Sequence, residues 1–204
     1  MFCIHIIKLL TIAIIWIFLG TLLGHPEYSY ISSFFQTCFL FLWSYFGHIM
    51  AHYVSESFPL NIINTHVSLH HLKEKAFPKW IDMISESINN FFGFFSLCIF
   101  QYLLGVEWLS TKIILYSAFL YIGIHIFYYT LSKNKYHVQH HSTPHYNYSP
   151  ELLDILFCTK HESDYYEELS MTYELIPAVV SFCIVFFFQK EYDEYLDGTI
   201  QLAK

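Results

Sequence analysis

The sequence predicts an all-α integral membrane protein with four transmembrane helices, formed as a single membrane domain over residues 1–204. Its composition leads to this class, because 55% of the residues are hydrophobic and only 13% are charged. The mean hydropathy of +0.39 is also high for a soluble domain. Several long runs lack charged residues, and about 20 consecutive apolar residues are enough to span the hydrocarbon of a bilayer as a helix.

Four apolar runs have the length that a membrane-crossing helix needs. They cover about residues 4–23, 28–50, 91–109 and 112–131. The first run has a weakly basic start and no small-residue cleavage site after it, so it is interpreted as a retained helix rather than a signal peptide.

Two further segments have weaker patterns. The run 175–188 contains Pro177 and is short, so it predicts either a fifth crossing or a helix in the membrane interface. Ile81, Ile84 and Ile88 recur on one helical face before the third run, a pattern typical of a helix that lies in the interface.

Eight of the thirteen histidines lie in three short boxes with helical spacing. The box histidines are His48 and His52, then His66, His70 and His71, and finally His137, His140 and His141. Residues three and four apart share a helical face, and the neutral imidazole is the commonest protein metal ligand. Eight imidazoles exceed the needs of one tetrahedral zinc, so the boxes predict two metal ions in a shell of histidines. Imidazole alone does not choose iron over zinc or copper.

The spacing of the runs predicts that all three boxes lie on one side of the membrane. The segment between His52 and His66 is too short and too polar to cross the bilayer, and the third and fourth runs cross it twice before His137. Six lysines lie on the box side, namely Lys73, Lys75, Lys79, Lys133, Lys135 and Lys160, whereas Lys112 lies near the opposite turn. The positive-inside rule therefore predicts a site that faces the cytoplasm.

Histidines and polar residues outside the boxes are further candidates. His125 lies within the fourth run, where an ionisable residue is a candidate functional residue, although a packing role is the alternative. His145 is a candidate ligand as well, or else a residue behind the ligands. Asp154 and Asn147 are candidates for orienting ligand imidazoles, with a helix cap as the alternative for Asp154. His5, His25 and His161 are expected to be incidental.

The boxes resemble those of the fatty acid hydroxylase and sterol desaturase superfamily of membrane di-iron enzymes. The likeness covers roughly residues 43–159 and continues past the third box. There, Asn147-Tyr148 and the segment Leu153–Thr159 resemble the family's Asn-Tyr and Trp-Asp-x-x-Phe-Gly-Thr signatures, with Leu153 and Cys158 in place of the tryptophan and the glycine. A second likeness is to the plasmanylethanolamine desaturases, which share the His-His-x-x-Pro-His run of His140–His145.

This resemblance implies a di-iron oxygenase that hydroxylates or desaturates a lipid with O2, most simply in the endoplasmic reticulum. Two iron ions are the implied cofactor, with zinc as a possible substitute, and His125 and His145 would join the eight box histidines as ligands. Electrons would come from a separate reductase or cytochrome-b-type haem protein, because the chain has no flavin, nicotinamide or haem motif of its own.

Other classes of protein are weighed against this one. The net charge of −7 and the absence of arginine argue against a nucleic-acid partner. A membrane metal transporter would place ligand pairs at the bilayer midplane, where only His125 is expected. A bis-histidine haem protein and a catalytically inactive scaffold of the same fold also remain open.

Overall fold

The computed structural model describes residues 2–25, 27–53, 66, 78–131, 134–162 and 171–202. Every regular element in these ranges is helical, which confirms the predicted all-α class. The helices are α1 (Phe2–Gly24), α2 (Tyr30–Tyr53), α3 (Lys79–Leu104), α4 (Thr111–Ile124), α5 (Lys135–Ser142), α6 (Glu151–Leu156) and α7 (Met171–Leu202). A π-helical segment, His125–Leu131, follows α4 directly.

Among the described residues, two helices are long and apolar enough to cross a membrane by length and composition. These are Cys3–Gly24, within α1, and Met83–Leu104, within α3. Thr111–Phe127 and Leu175–Lys190 are apolar but shorter. Helix α2 has 24 residues but carries several serines and a glutamine. The prediction of four crossings therefore stays a prediction.

Helix α3 differs from the predicted third run at both of its ends. It begins at Lys79, so the isoleucine pattern predicted to be a separate interfacial helix forms its first turns instead. It ends at Leu104 because Gly105 adopts a left-handed conformation with φ of 63°, which a residue without a Cβ accepts most easily.

Two clusters of buried side chains hold the long helices together. In one, Ala178 and Val185 of α7 pack with Trp16 of α1 and Tyr116 of α4. In the other, Leu40 of α2 packs with Phe94 of α3 and with residues of α4. Helix α7 is therefore a member of the bundle.

Beside these apolar clusters, helices α2 and α3 bury several polar side chains and expose many large apolar ones. On α2, Gln36 and Thr37 are 6% and 3% exposed, whereas their neighbours Phe35 and Phe39 are 65% and 45% exposed. A soluble protein normally shows the opposite arrangement, because water favours a polar outer surface. Contiguous apolar outer surfaces of this kind mark contact with lipid or with another protein.

The bundle has two polar ends. The distal end contains the side chains of Glu27, Gln36, Gln101, Ser110 and Lys112. There Lys112 Nζ lies 2.7 Å from Glu27 Oε1, and Gln36 Oε1 accepts the Ser110 N–H at 2.7 Å. The site end contains the last turns of α2 and α4 and the first turns of α1 and α3.

His5 was expected to be incidental, and the structure corrects this. Its Nε2 lies 2.7 Å from Oε2 of Glu151, whose side chain is fully buried at the start of α6. Lys160 Nζ approaches the other oxygen of Glu151 at 3.4 Å. The beginning of α1 is thereby tied to the segment that follows the third histidine box.

Candidate metal centre

Four histidines from all three boxes converge at the site end. His48 and His52 lie one turn apart near the end of α2, and His140 lies on α5. His66 belongs to the part of the sequence between these two helices. One ring nitrogen from each of the four lies within 4.8 Å of the others. His66 and His140 are buried, at 3% and 0% exposure. Residues separated by more than 80 positions thus form one group of potential metal ligands, the four-histidine group.

Helix α5 presents His140 because its start is capped. The Asn134 side chain accepts the backbone N–H of Tyr136 at 2.9 Å, a bond that satisfies a free donor at the helix start. His137 and His140 then fall on the buried face of the helix. The Asn134 cap therefore sets the start of α5, and with it the helical positions of the histidines in the third box.

In His140, His66 and His48, Nδ1 has a partner outside the four-histidine group. His140 Nδ1 lies 2.6 Å from the backbone carbonyl of Tyr146, and His66 Nδ1 lies 3.1 Å from Glu86 Oε1. The hydroxyl of Tyr121 lies 3.4 Å from His48 Nδ1. A partner on one ring nitrogen sets the tautomer and directs the other nitrogen at a metal, an arrangement found at most histidine metal sites.

The Nε2 atoms meet each other at the centre of the group. His52 Nε2 lies 3.1 Å from His140 Nε2 and 3.3 Å from His66 Nε2. Since Nδ1 of His140 and of His66 donates, the Nε2 of each carries a lone pair. One proton on His52 could satisfy one of these contacts but not both, whereas a cation can accept every lone pair.

Two further observations agree with metal binding by the four-histidine group. Nε2 of His48 is buried and makes no hydrogen bond to any described residue, which leaves its lone pair available. Burial also lowers the pKa of His140 well below its usual range. This histidine is therefore neutral near pH 7, the form that binds metal.

A second set of histidines lies beside the four-histidine group. His137 Nε2 and His141 Nε2, one turn apart on α5, are 3.0 Å from each other. The ring of His125 is centred 4.9 Å from that of His137, and His125 is only 1% exposed. His125 is also the first residue of the π-helical segment, and such segments are often found at functional sites. We refer to His125, His137 and His141 as the second histidine group.

The remaining predicted ligands are placed differently. His70 and His71 lie outside the described residues. His145 comes after the end of α5 at Ser142 and is exposed, with its ring centred 6.0 Å from that of Tyr53. The helical spacing that unites the third box therefore does not extend to His145.

Asp154 and Asn147 build the loop that supports His140 and were predicted to orient imidazoles directly. Asp154 accepts hydrogen bonds from the hydroxyls of Tyr136 and Thr159 and from the backbone N–H groups of Tyr148 and Ser149. Asn147 Oδ1 accepts the N–H of His161 at 2.8 Å. The carbonyl of Tyr146, just before this loop, is the group that reaches His140.

Burial also affects the acidity of Asp154. It raises the pKa of the carboxyl to about 6, although the four hydrogen bonds act in the opposite direction. The loop therefore contains an acid held away from solvent behind the third box.

Sequence reasoning missed Glu86, a buried carboxylate of α3 that contacts His66. The isoleucines of this segment predicted a helix lying in the membrane interface, and Glu86 was not considered as a residue of the site. In the structure Ile84 and Ile88 are each 52% exposed, whereas Glu86 and Asn90 are 4% and 8% exposed. The spacing of Glu86 and Asn90, four residues apart on one helical face, was the available signal.

Comparison of the chain with models of known protein families, with curated proteins and with solved structures gives no match.

Proposed function

We propose that this protein is a membrane-bound non-haem di-iron oxygenase that hydroxylates or desaturates a lipid, using O2 and external electrons. The observation that supports it most is the convergence of one ring nitrogen from each of His48, His52, His66 and His140. In His48, His66 and His140, Nδ1 contacts a group outside this cluster. Structural polar clusters pair donors with acceptors, whereas this arrangement presents lone pairs to a common point.

The surroundings of the site support a membrane setting. Two described helices are long and apolar enough to span a bilayer, and α2 turns phenylalanines outward and polar groups inward. We propose the endoplasmic reticulum membrane, with the site end on the cytoplasmic side, where the lysines of the sequence concentrate.

The residues of this chain have separate roles in the proposed reaction. The four-histidine group and the second histidine group would hold two iron ions, and Tyr121, Glu86 and the carbonyl of Tyr146 would fix the imidazole orientations. When bound, the iron pair supplies the O2 activation that removal of hydrogen from an unactivated C–H bond requires.

The position of the site favours a lipid over a soluble substrate. His48 and His125 lie at the ends of apolar helices, so an acyl methylene could reach them without leaving the hydrocarbon. A small cavity inside the bundle, lined by Trp16, Ser44 and Tyr121 among others, also adjoins the site through the contact of Tyr121 with His48. This cavity suits a small apolar reactant such as O2.

A separate electron donor completes the proposal. A reductase or a cytochrome-b-type haem protein would approach the site end from the cytoplasm. Lys135, exposed at the start of α5, belongs to the face that this donor would meet.

Lipid mass spectrometry tests the proposal. Cells that express the protein should contain lipids that have gained one oxygen atom or lost two hydrogen atoms relative to cells without it. The variant His140→Ala should remove the new species, whereas His25→Ala, which changes an exposed histidine near the distal end, should retain it. An unchanged lipid profile in cells with adequate iron and electron donor would contradict the oxygenase proposal.

A further inference from the structure

Glu86 lies between the two histidine groups. Its Oε1 is 3.1 Å from Nδ1 of His66, a member of the four-histidine group. The same oxygen is 3.3 Å from Nε2 of His125, a member of the second histidine group. One carboxylate oxygen therefore contacts one imidazole of each group.

The buried carboxylate of Glu86 requires groups that compensate the cost of its burial. Glu86 is 4% exposed, and transfer of a charge into an apolar interior is costly unless hydrogen bonds or opposite charges compensate it. Asn90, one turn further along α3, donates from Nδ2 to the same Oε1 at 3.3 Å. The contacts to His66, His125 and Asn90 supply the compensation, and they also fix the direction of the carboxylate.

The contacts determine which nitrogen each imidazole can offer to a metal. A carboxylate accepts hydrogen bonds, so His66 donates from Nδ1 and His125 donates from Nε2. The lone pair of His66 is then on Nε2, which lies 3.3 Å from His52 Nε2 in the four-histidine group. The lone pair of His125 is on Nδ1, a buried atom.

We propose that Glu86 is a positioning residue of the metal centre, which fixes one imidazole of each histidine group and so links the two groups. This inference rests on the proposed metal centre. It predicts that loss of the carboxylate weakens metal binding in both groups at once, although Glu86 belongs to none of the histidine boxes. A purely structural carboxylate would instead stabilise α3 against its neighbours without effect on bound metal.

Titration of the purified, metal-free full-length protein with Co²⁺ separates these roles, because the visible spectrum of Co²⁺ reports the geometry of its ligands. The main variant is Glu86→Leu, which removes both carboxylate oxygens. It leaves the N–H groups of His66 and His125 without this acceptor, so its metal-free form should be less stable than the wild type. Glu86→Gln retains an acceptor oxygen and provides a second test. Glu107→Gln, which changes an exposed residue of the distal turn, is the matched control.

We expect the Co²⁺ affinity of Glu86→Leu to fall by about 10- to 100-fold, the usual effect of the loss of a residue that orients a metal ligand. The Co²⁺ spectrum should change as well. The same spectral change should appear in Glu86→Gln, whose metal-free thermal unfolding should stay closer to that of the wild type because its amide oxygen remains an acceptor. Glu86→Gln should have an intermediate affinity, and Glu107→Gln should match the wild type.

Two results would overturn the inference, and each refutes a different claim. Wild-type affinity and spectrum in both Glu86 variants would refute the role of Glu86 and leave the metal centre intact. Failure of the wild-type protein to bind Co²⁺ would refute the metal centre itself and the inference with it. If Glu86→Leu does not fold, the result for Glu86→Gln alone decides.

Discussion

The two ends of the helix bundle are both polar, but their polar groups are paired in different ways. At the distal end, donors meet acceptors: Gln101 Oε1 accepts the N–H groups of Trp108 and Leu109 at 3.0 and 2.6 Å, and Gln101 Nε2 donates to the Leu109 carbonyl at 3.2 Å. The ion pair of Lys112 with Glu27 follows the same logic. These contacts pair polar groups at the helix ends of the distal turn, each donor with an acceptor.

At the site end, imidazole nitrogens face one another. His52 Nε2 lies 3.1 Å from His140 Nε2 and 3.3 Å from His66 Nε2, while the other nitrogens of His66 and His140 are held by hydrogen-bond acceptors. The comparison shows why burial of polar groups alone does not identify a functional site. What distinguishes the site end is that ring nitrogens of four histidines converge into a group that could hold a metal ion.

The two ends should lie on opposite sides of the membrane, and this is the largest effect that the comparison predicts. In a background without the five free cysteines, Ser142→Cys places a thiol at the site end and Glu107→Cys places one in the distal turn. In sealed microsomes, an impermeant maleimide should label the first variant fully and the second only after permeabilisation. Both residues are exposed, so access within the protein is not limiting.

Labelling of both positions from the same side would contradict the proposed crossings. It would also leave the two ends as polar regions of a protein that does not span the bilayer.

A smaller effect is expected when the pairing at the distal end is broken. Gln101→Leu would leave the buried N–H of Leu109 without its acceptor, at a cost of about 1–3 kcal/mol in the free energy of unfolding. Thermal unfolding in detergent should show the loss, whereas metal content should stay at the wild-type value. Tyr102→Leu, at a neighbouring position that is 85% exposed, is the control and should leave both unchanged.

A loss of metal in Gln101→Leu without a change in folding would show that the distal end contributes to the site. The distinction between structural and metal-binding polar ends would then be wrong.

The sequence allowed the helical class to be predicted from local spacing. It also placed the members of the four-histidine group among ten predicted histidine ligands, without separating these four from the rest. His48 and His52 share a face of α2 at four-residue spacing, and the count of apolar runs indicated that the three boxes belong at one end. Periodicity states which residues share a face. That information was sufficient for a site built from short repeated patterns.

Periodicity does not state which face turns inward, and this is why Glu86 was missed. The isoleucines of α3 were assigned to an interfacial helix, but they form the outer face of a longer helix whose polar face is buried. His5 was overlooked for a related reason, since its partner Glu151 lies 146 residues away. His145 was a candidate ligand outside the boxes, but α5 ends before it and its side chain is exposed. Long-range contacts and helix ends require the folded structure.

Metal analysis of the wild-type protein, purified in detergent, tests the central claim that the site end is a metal centre. The account predicts two metal ions per chain and a clear reduction in His140→Ala, because His140 supplies a buried, neutral imidazole to the four-histidine group. Gln101→Leu should keep both ions. Wild-type protein that contains no metal after expression with ample iron, and that takes up none afterwards, would contradict the account.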